Sequence, residues 1–104
     1  MFLMDRSGEW RLAPAYDVTW AYNASGAWTN QHQMSVNGKR DDFTIEDFRE
    51  CAGVAGINPR RVPGLLDQVR AAVQAWPEVA ASTQVTPSWI GDIGRTHRLD
   101  IPKA

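Results

Sequence analysis

The alternation of apolar and polar positions at the start of the chain predicts a β-hairpin over residues 1–12. The segment Asp5-Arg6-Ser7-Gly8 supplies turn-forming residues, with Gly8 suited to a positive φ. Because an isolated two-stranded hairpin is marginal in water, we expect this one to lie against another element. An apolar strand at the first residue also indicates a parent structure that continues upstream. The alternation is carried by Phe2, Met4, Trp10 and Leu12.

Residues 13–31 show neither helical nor strand periodicity. Pro14 cannot donate to a β-ladder, and Asn23-Ala24-Ser25-Gly26 is typical of a loop. The segment 16–28, which we call the aromatic loop, nevertheless carries several large aromatic side chains. Such a loop is expected either to pack beneath other elements or to bind a partner. Its aromatic residues are Tyr16, Trp20, Tyr22 and Trp28.

Residues 32–43 are predicted to form a second, short hairpin. Asn37-Gly38 is a strong two-residue turn signal, and Met34 and Val36 precede it at alternate positions. The far arm, residues 39–43, is highly charged, so we expect the pairing to be brief.

The hydrophobic pattern becomes helical at Thr44, which is a good N-cap residue with Asp47 as its capping-box partner. Gly56 is placed for the left-handed position that ends this helix. Asn58 and Pro59 then predict the start of a second helix, with a loose turn at 59–62 and a regular helix from Pro63. Apolar residues recur at spacings of three and four along it, at Val62, Leu65, Leu66, Val69, Val73 and Trp76.

Pro77 is predicted to end or kink that helix at Trp76, with a short turn through residues 78–81 after it. Thr86-Pro87 predicts the start of a last helix, and residues 99–104 are expected to fray. The predicted fold is mainly α with a small N-terminal β element, a β-hairpin followed by about three packed helices. We expect one domain over residues 1–104, with hairpins and aromatic loop in 1–43 and the helical part in 44–98.

Composition limits the classes of function. The chain has 104 residues, five tryptophans and a formal net charge of −1, which argues against a generally basic nucleic-acid binder. Its single cysteine, Cys51, excludes an internal disulfide and is expected to be a buried, inert thiol beside Ala52. No apolar run approaches the roughly 20 residues that span a bilayer. We therefore expect a cytoplasmic protein that does not act at a membrane.

Asp17 is the candidate for metal chemistry. It follows a predicted strand, Pro14 and Tyr16 in a loop, and phosphoryl-transfer enzymes hold Mg²⁺ with such a loop aspartate. The alternative is an aspartate that only forms an Asx-turn or caps a helix. The two histidines, His32 and His97, lie far apart in sequence, and no motif pairs either with Cys51.

Two stretches resemble the HipA family of serine/threonine kinase toxins. The first stretch begins with Phe2-Leu3-Met4-Asp5 and continues with Gly8-Glu9-Trp10-Arg11-Leu12-Ala13-Pro14-Ala15-Tyr16-Asp17-Val18. The second is His32-Gln33-Met34-Ser35-Val36-Asn37-Gly38-Lys39, continued by residues 43–48. The resemblance covers most of the chain and is most specific around Pro14, Tyr16 and Asp17, whereas the helices after Asn58 are generic.

The resemblance implies that Asp17 is the family's metal-binding aspartate, which holds Mg²⁺ against the ATP phosphates. The family's catalytic loop would lie just before Met1, and its phosphate-covering loop and ATP-contacting lysine further upstream. None of these parts is in this sequence. We therefore predict no catalytic residues here, no ATP or Mg²⁺ bound by this chain alone, and no kinase activity of the isolated chain.

Two main hypotheses follow. The first is a truncated HipA-like C-terminal domain that acts through association with a kinase N-terminal portion, a HipB-like antitoxin or a second copy of itself. The second is a fragment of a full-length HipA-like kinase in which Asp17 binds Mg-ATP, and a freestanding binding module of unrelated function is a third. Several cations are compatible with a weak DNA-facing patch, although ordinary solvated charges account for them as well: Lys39, Arg40, Arg60, Arg61, Arg95, His97 and Arg98.

Overall fold

The computed structural model describes residues 2–102, so the parts of the predictions that fall on Met1, Lys103 and Ala104 lie outside the described residues. Two strands precede four α-helices within that range, which confirms the predicted α+β class. The bounds are β1 Phe2–Met4, β2 Trp10–Leu12, α1 Ile45–Val54, α2 Val62–Gln74, α3 Trp76–Ser82 and α4 Pro87–Gly94, with a 3-10 turn at Pro59–Arg61 between α1 and α2.

The N-terminal hairpin forms as predicted. Strands β1 and β2 are antiparallel, with Phe2 opposite Leu12 and Met4 opposite Trp10. The Asp5 side chain organises the turn, because its Oδ1 accepts hydrogen bonds from the backbone N–H of Ser7 at 2.8 Å and of Glu9 at 3.0 Å. The apolar side chains of both strands remain exposed, so within the described residues the hairpin does not lie against another strand or helix, contrary to what was expected of it.

The second hairpin is reduced to one bridge between Val36 and Lys39. Their backbone N–H and C=O groups exchange hydrogen bonds of 2.8 and 3.0 Å. Asn37 at φ 51° and Gly38 at φ 77° are both left-handed, the geometry that favours Asn-Gly in tight hairpin turns. The charged arm after Lys39 does not extend the pairing.

Helix α1 begins and ends as its sequence predicts. The Thr44 Oγ1 accepts from the Asp47 N–H at 3.4 Å, while the Thr44 N–H donates to the Asp47 carboxylate at 2.8 Å, a complete capping box. At the other end Gly56 has φ 71°, and the Ile57 N–H donates to the Ala52 carbonyl at 2.8 Å. This is a Schellman ending, with Gly56 in the position that disfavours any side chain.

The three predicted helices correspond to α1, α2 and α4, and the stretch predicted as a short turn forms the additional helix α3. Pro77 lies in the first turn of α3, where its missing N–H has no helical acceptor to lose. The interruption therefore falls at Ala75, which ends α2 and precedes α3. Thr86 starts α4 through its backbone, because its carbonyl accepts from the Ile90 N–H at 3.0 Å, with no side-chain cap.

The buried core is small. Its apolar members in the described range are Ala52, Val62, Ala80 and Ile93, and no large side chain there is fully buried. The accessible surface is 8544 Å², roughly 2,700 Å² more than the about 5,800 Å² expected for a compact monomer of this mass. The radius of gyration is 16.4 Å, against about 13 Å for a compact chain of this length. The chain thus leaves a large area uncovered by its own residues.

None of the described helices combines the length and the apolar character needed to cross a membrane.

Candidate functional site

The aromatic loop packs on the helical part through Trp20. Its indole Nε1 donates a hydrogen bond to the Thr96 Oγ1 at 3.0 Å. Its ring meets that of Trp89 edge-on, with centroids 6.0 Å apart and planes at 80°. Tyr16 and Trp28 remain 63% and 77% exposed. The loop therefore packs on the helical part at Trp20, which is still 43% exposed, and the alternative expectation, that the loop binds a partner, stays a prediction.

Asp17 is exposed and lies in the left-handed region at φ 52°. Its carboxylate has no hydrogen-bond or ion-pair partner within residues 2–102. Asp5 and Asp47, in contrast, use their carboxylates in a local turn and a helix cap. Aspartate tolerates the left-handed region better than most residues, and such backbone positions occur often at functional sites. Asp17 thus presents an uncommitted carboxylate, and its metal role stays a prediction.

Asp17 does not belong to a cluster of metal-binding side chains within the described residues. No group of three or more His, Cys, Asp or Glu side chains in residues 2–102 is arranged to hold a metal ion. Mg²⁺ requires near-octahedral oxygen coordination and usually takes one or two carboxylates together with waters and substrate phosphates. If Asp17 binds Mg²⁺, waters and substrate phosphates would be expected to supply most of the other ligands.

Asp47 has a larger role than the cap that its sequence position indicates. It is 3% exposed, and its carboxylate accepts from the Lys39 Nζ at 2.8 Å and the Asn37 Nδ2 at 3.0 Å. The Lys39 hydrogen bond, followed by those of Asn37 and Thr44, holds the pKa of Asp47 far below its ordinary value. The carboxylate thus links the turn of the second hairpin to the start of α1.

Several of the cations predicted for a DNA-facing patch pair with carboxylates. Lys39 is bound to Asp47, Arg98 pairs with Asp41, and Arg95 pairs with Asp92. The Asp42 N–H and then the Arg98 guanidinium lower the pKa of the Asp41 carboxyl. These pairs reduce the charge that the patch offers, and DNA contact stays a prediction.

Cys51 is exposed, which corrects the expectation of a buried thiol. Ala52 is the core residue of α1, and consecutive helix positions are rotated by about 100°, so burying Ala52 turns Cys51 outward. Cys51 lines neither of the cavities that His32 and His97 share, so the structure brings no Cys-His pair together there.

Sequence reasoning missed a cavity between the aromatic loop, α2 and the segment after α4. Its volume is about 640 Å³, and it brings together His32, Arg70, His97 and Arg98 from distant parts of the chain. The Arg70 Nε donates to the Leu99 carbonyl at 2.9 Å, which fixes the C-terminal segment against α2. The His97 ring lies edge-on to Trp76, with centroids 5.8 Å apart. No local sequence motif predicts a site whose residues come from such separate segments.

The family model of the HipA-like C-terminal domain matches residues 2–76. The match covers well over half of the chain, and the chain therefore belongs to the HipA-like C-terminal domain family. It includes the hairpin, the aromatic loop with Asp17, α1 and α2, and ends at the first residue of α3. No curated protein and no solved structure matches the chain.

Proposed function

We propose that this chain is the C-terminal part of a HipA-like kinase system that is non-catalytic alone and acts through association. The first partner is a portion carrying the nucleotide-binding half of the kinase, with an antitoxin or a second copy as the other associations of this surface. The observation that carries the proposal is the uncovered apolar surface around the hairpin and the aromatic loop.

The exposure of large apolar side chains supports an interface on this surface. A typical stable interface covers about 800 Å² on each partner, and obligate interfaces are larger and more apolar. The whole chain exposes roughly 2,700 Å² more surface, polar and apolar together, than a compact monomer of its mass, and the hairpin contributes to this excess. The exposed large side chains include Phe2 at 65%, Trp10 at 64% and Leu12 at 73%, all on the hairpin. Groups of this kind are typical of a surface that another structural unit covers.

The chemistry of the described residues supports a non-catalytic role for the isolated chain. Phosphoryl transfer depends on positioning and charge stabilisation by several parts acting together. Asp17 is a single carboxylate, and within the described residues no group of three or more His, Cys, Asp or Glu side chains is arranged to hold a metal ion.

Association is tested by sedimentation velocity over a concentration series, together with binding of a dye that detects exposed apolar surface. We expect dye binding, and either self-association or a shift to a complex when the upstream kinase portion is added. A clean monomer at high concentration that binds no dye and ignores the upstream portion contradicts the proposal.

Catalysis by the isolated chain is tested with labelled ATP and a protein substrate. We expect no transfer above the blank. Transfer that disappears in Asp17→Ala would show that the chain carries a complete active site.

The second candidate is a full-length HipA-like serine/threonine kinase of which this chain is a fragment, with Asp17 binding Mg-ATP. The free carboxylate and left-handed backbone of Asp17 favour it. An upstream reading frame that encodes a His-x-x-Asp-type catalytic loop would establish it. Binding of Mg²⁺ and nucleotide is tested by NMR titration, which reports chemical-shift changes residue by residue. The Asp17→Asn variant tests whether these changes require the Asp17 carboxylate.

Asp42→Asn is the matched control for that titration. Asp42 is also exposed and has φ 50°, so it shares the backbone geometry of Asp17 without the surrounding motif. Shifts that vanish in Asp17→Asn and persist in Asp42→Asn support the metal role. Equal loss in both variants would indicate weak binding of cations to any exposed carboxylate.

A further inference from the structure

The cavity between the aromatic loop and α2 has the dimensions and chemistry of a small-molecule site. Its volume of about 640 Å³ lies within the range of roughly 300–1,000 Å³ that such sites occupy. Helix α2 contributes the aliphatic side chains of Leu66, Val69 and Val73 together with Arg70. Trp20, Tyr22 and Trp28 contribute aromatic rings from the opposite side.

Among the described residues, the Lys, Arg, Asp or Glu side chains that line this cavity are all arginines. Arg70, Arg98, His32 and His97 line it, and no Asp or Glu of the described part of the chain does. Arg70 pairs with Asp67 and Arg98 with Asp41, but neither acid lies in the cavity wall. Each guanidinium has five N–H donors, so one ion pair leaves others for a ligand.

An adjoining cavity of about 730 Å³ gives an internal comparison. It shares His32, His97 and Arg98 with the first cavity, but its wall also contains Asp41, Asp42 and Asp100. An anion in that second cavity would meet several carboxylates. Charge complementarity therefore assigns an anionic ligand to the first cavity.

We propose that the cavity between the aromatic loop and α2 binds a planar aromatic molecule that carries a phosphate or a carboxylate. Tryptophan and tyrosine rings pack against a planar ring, and arginine guanidinium groups bind these anions through paired, charge-assisted hydrogen bonds. The inference goes beyond the proposed function, because Asp17 does not line this cavity and no Mg²⁺ is involved.

The direct test is a titration of the complete chain with 1-naphthyl phosphate and with 2-naphthoate, followed by tryptophan fluorescence and by NMR of the indole N–H groups. The two ligands separate a phosphate-binding site from a carboxylate-binding site. We expect saturable binding of at least one of them, with shifts at Trp20 and Trp28. The neutral analogue 1-naphthol should bind at least about tenfold more weakly, the ratio that corresponds to about 1.4 kcal/mol.

Three variants locate the site. Arg98→Gln removes a lining cation and should weaken binding at least about fivefold. Asp41→Asn removes the competing partner of Arg98 from outside the cavity, so it should strengthen binding about twofold or more. Arg95→Gln is the matched control, because its guanidinium pairs with Asp92 and does not line the cavity. It should leave the affinity unchanged.

Three results would overturn the proposal. They are the absence of saturable binding, equal affinity for 1-naphthol, and equal effects of Arg95→Gln and Arg98→Gln. The opposite effects expected for Arg98→Gln and Asp41→Asn keep the test decisive if one of the two variants fails to fold. None of these measurements depends on kinase activity or on Asp17, so a failure of the cavity proposal is distinguishable from a failure of the proposed function.

Discussion

The Lys39 ammonium donates a hydrogen bond of 2.8 Å to a carboxylate oxygen of Asp47, and the Asp47 side chain is 4% exposed while that of Lys39 is 44% exposed. The same carboxylate accepts from Asn37 and from the N–H and hydroxyl groups of Thr44. One buried acid therefore joins the turn of the second hairpin to the N-terminus of α1. This joint connects the irregular N-terminal half of the chain to its helices.

Replacing Asp47 with Ala should destabilise the fold more than removing the cap alone. Thr44→Ala deletes the N-cap hydroxyl and is expected to cost about 1 kcal/mol. Asp47→Ala deletes the capping-box acceptor and also leaves Lys39 and Asn37 without their buried partner. Urea unfolding followed by circular dichroism measures both, with exposed Glu50→Ala as the control. An Asp47→Ala variant as stable as Glu50→Ala would show that the hydrogen bonds of Asp47 contribute nothing to the free energy of unfolding.

The lowered pKa of Asp47 predicts a stability that depends on pH in the acid range. The folded pKa lies below the ordinary value of 3.8, so the unfolded state binds a proton more readily than the folded state. The stabilisation is therefore fully present above about pH 4 and is lost as the pH falls through the folded pKa. For the wild type, the urea concentration at the midpoint of unfolding should therefore decrease as the pH is lowered from about 5 to about 2.5.

The control for this pH dependence is Asp47→Asn, which keeps the shape of the side chain and cannot titrate. Its urea midpoint should be lower than that of the wild type at pH 5 and should change less on acidification. Asp5 and Asp41 also have lowered pKa values, because Ser7 donates to the first and the Asp42 N–H and Arg98 to the second, so a residual slope is expected. Identical slopes in wild type and variant would show that Asp47 does not cause the pH dependence.

Two glycines at the end of α1 should respond with opposite signs to substitution by alanine. Gly56 has φ 71°, where a Cβ is strained, so Gly56→Ala should cost about 1 kcal/mol. Gly53 lies inside the helix, and an added Cβ would meet no atom within 4 Å apart from its chain neighbours and the backbone of its own helix. Gly53→Ala should therefore stabilise the fold by about 0.5–1 kcal/mol. Thermal unfolding of the two variants gives the comparison. A stabilising Gly56→Ala would mean that the Schellman ending does not persist in solution.

The sequence predicts those elements whose cause is local. Thr44 with Asp47, the Asn37-Gly38 turn and Gly56 each act through hydrogen bonds or φ preferences within a few residues, and all three are confirmed. The missed features depend on distant residues. The bond from Lys39 to Asp47 spans eight positions, and the cavity joins Arg70 to Arg98, so neither follows from periodicity or capping rules.

The exposure of Cys51 also depends on packing that the local sequence pattern does not predict. The spacing of Ile45, Phe48 and Ala52 predicts the direction of the core relative to α1 but not its width. Because the actual core is narrow and buries mainly small residues, a neighbour of Ala52 falls outside it. Asp17 belongs to a different category, since the resemblance of the surrounding motif singles it out in sequence and its metal role stays a prediction.

The hydrogen bond from Trp20 to Thr96 should control the mobility of the aromatic loop. Thr96→Val keeps the shape of the side chain and leaves the Trp20 indole N–H without its acceptor, at an expected cost of about 1 kcal/mol. Hydrogen exchange measured by mass spectrometry should then accelerate across residues 19–33, because Trp20 anchors that segment to the helical part. Trp28→Phe, at a 77% exposed ring, is the control and should leave exchange unchanged. Unchanged exchange in Thr96→Val would show that the contact between Trp20 and Trp89 holds the loop without the hydrogen bond.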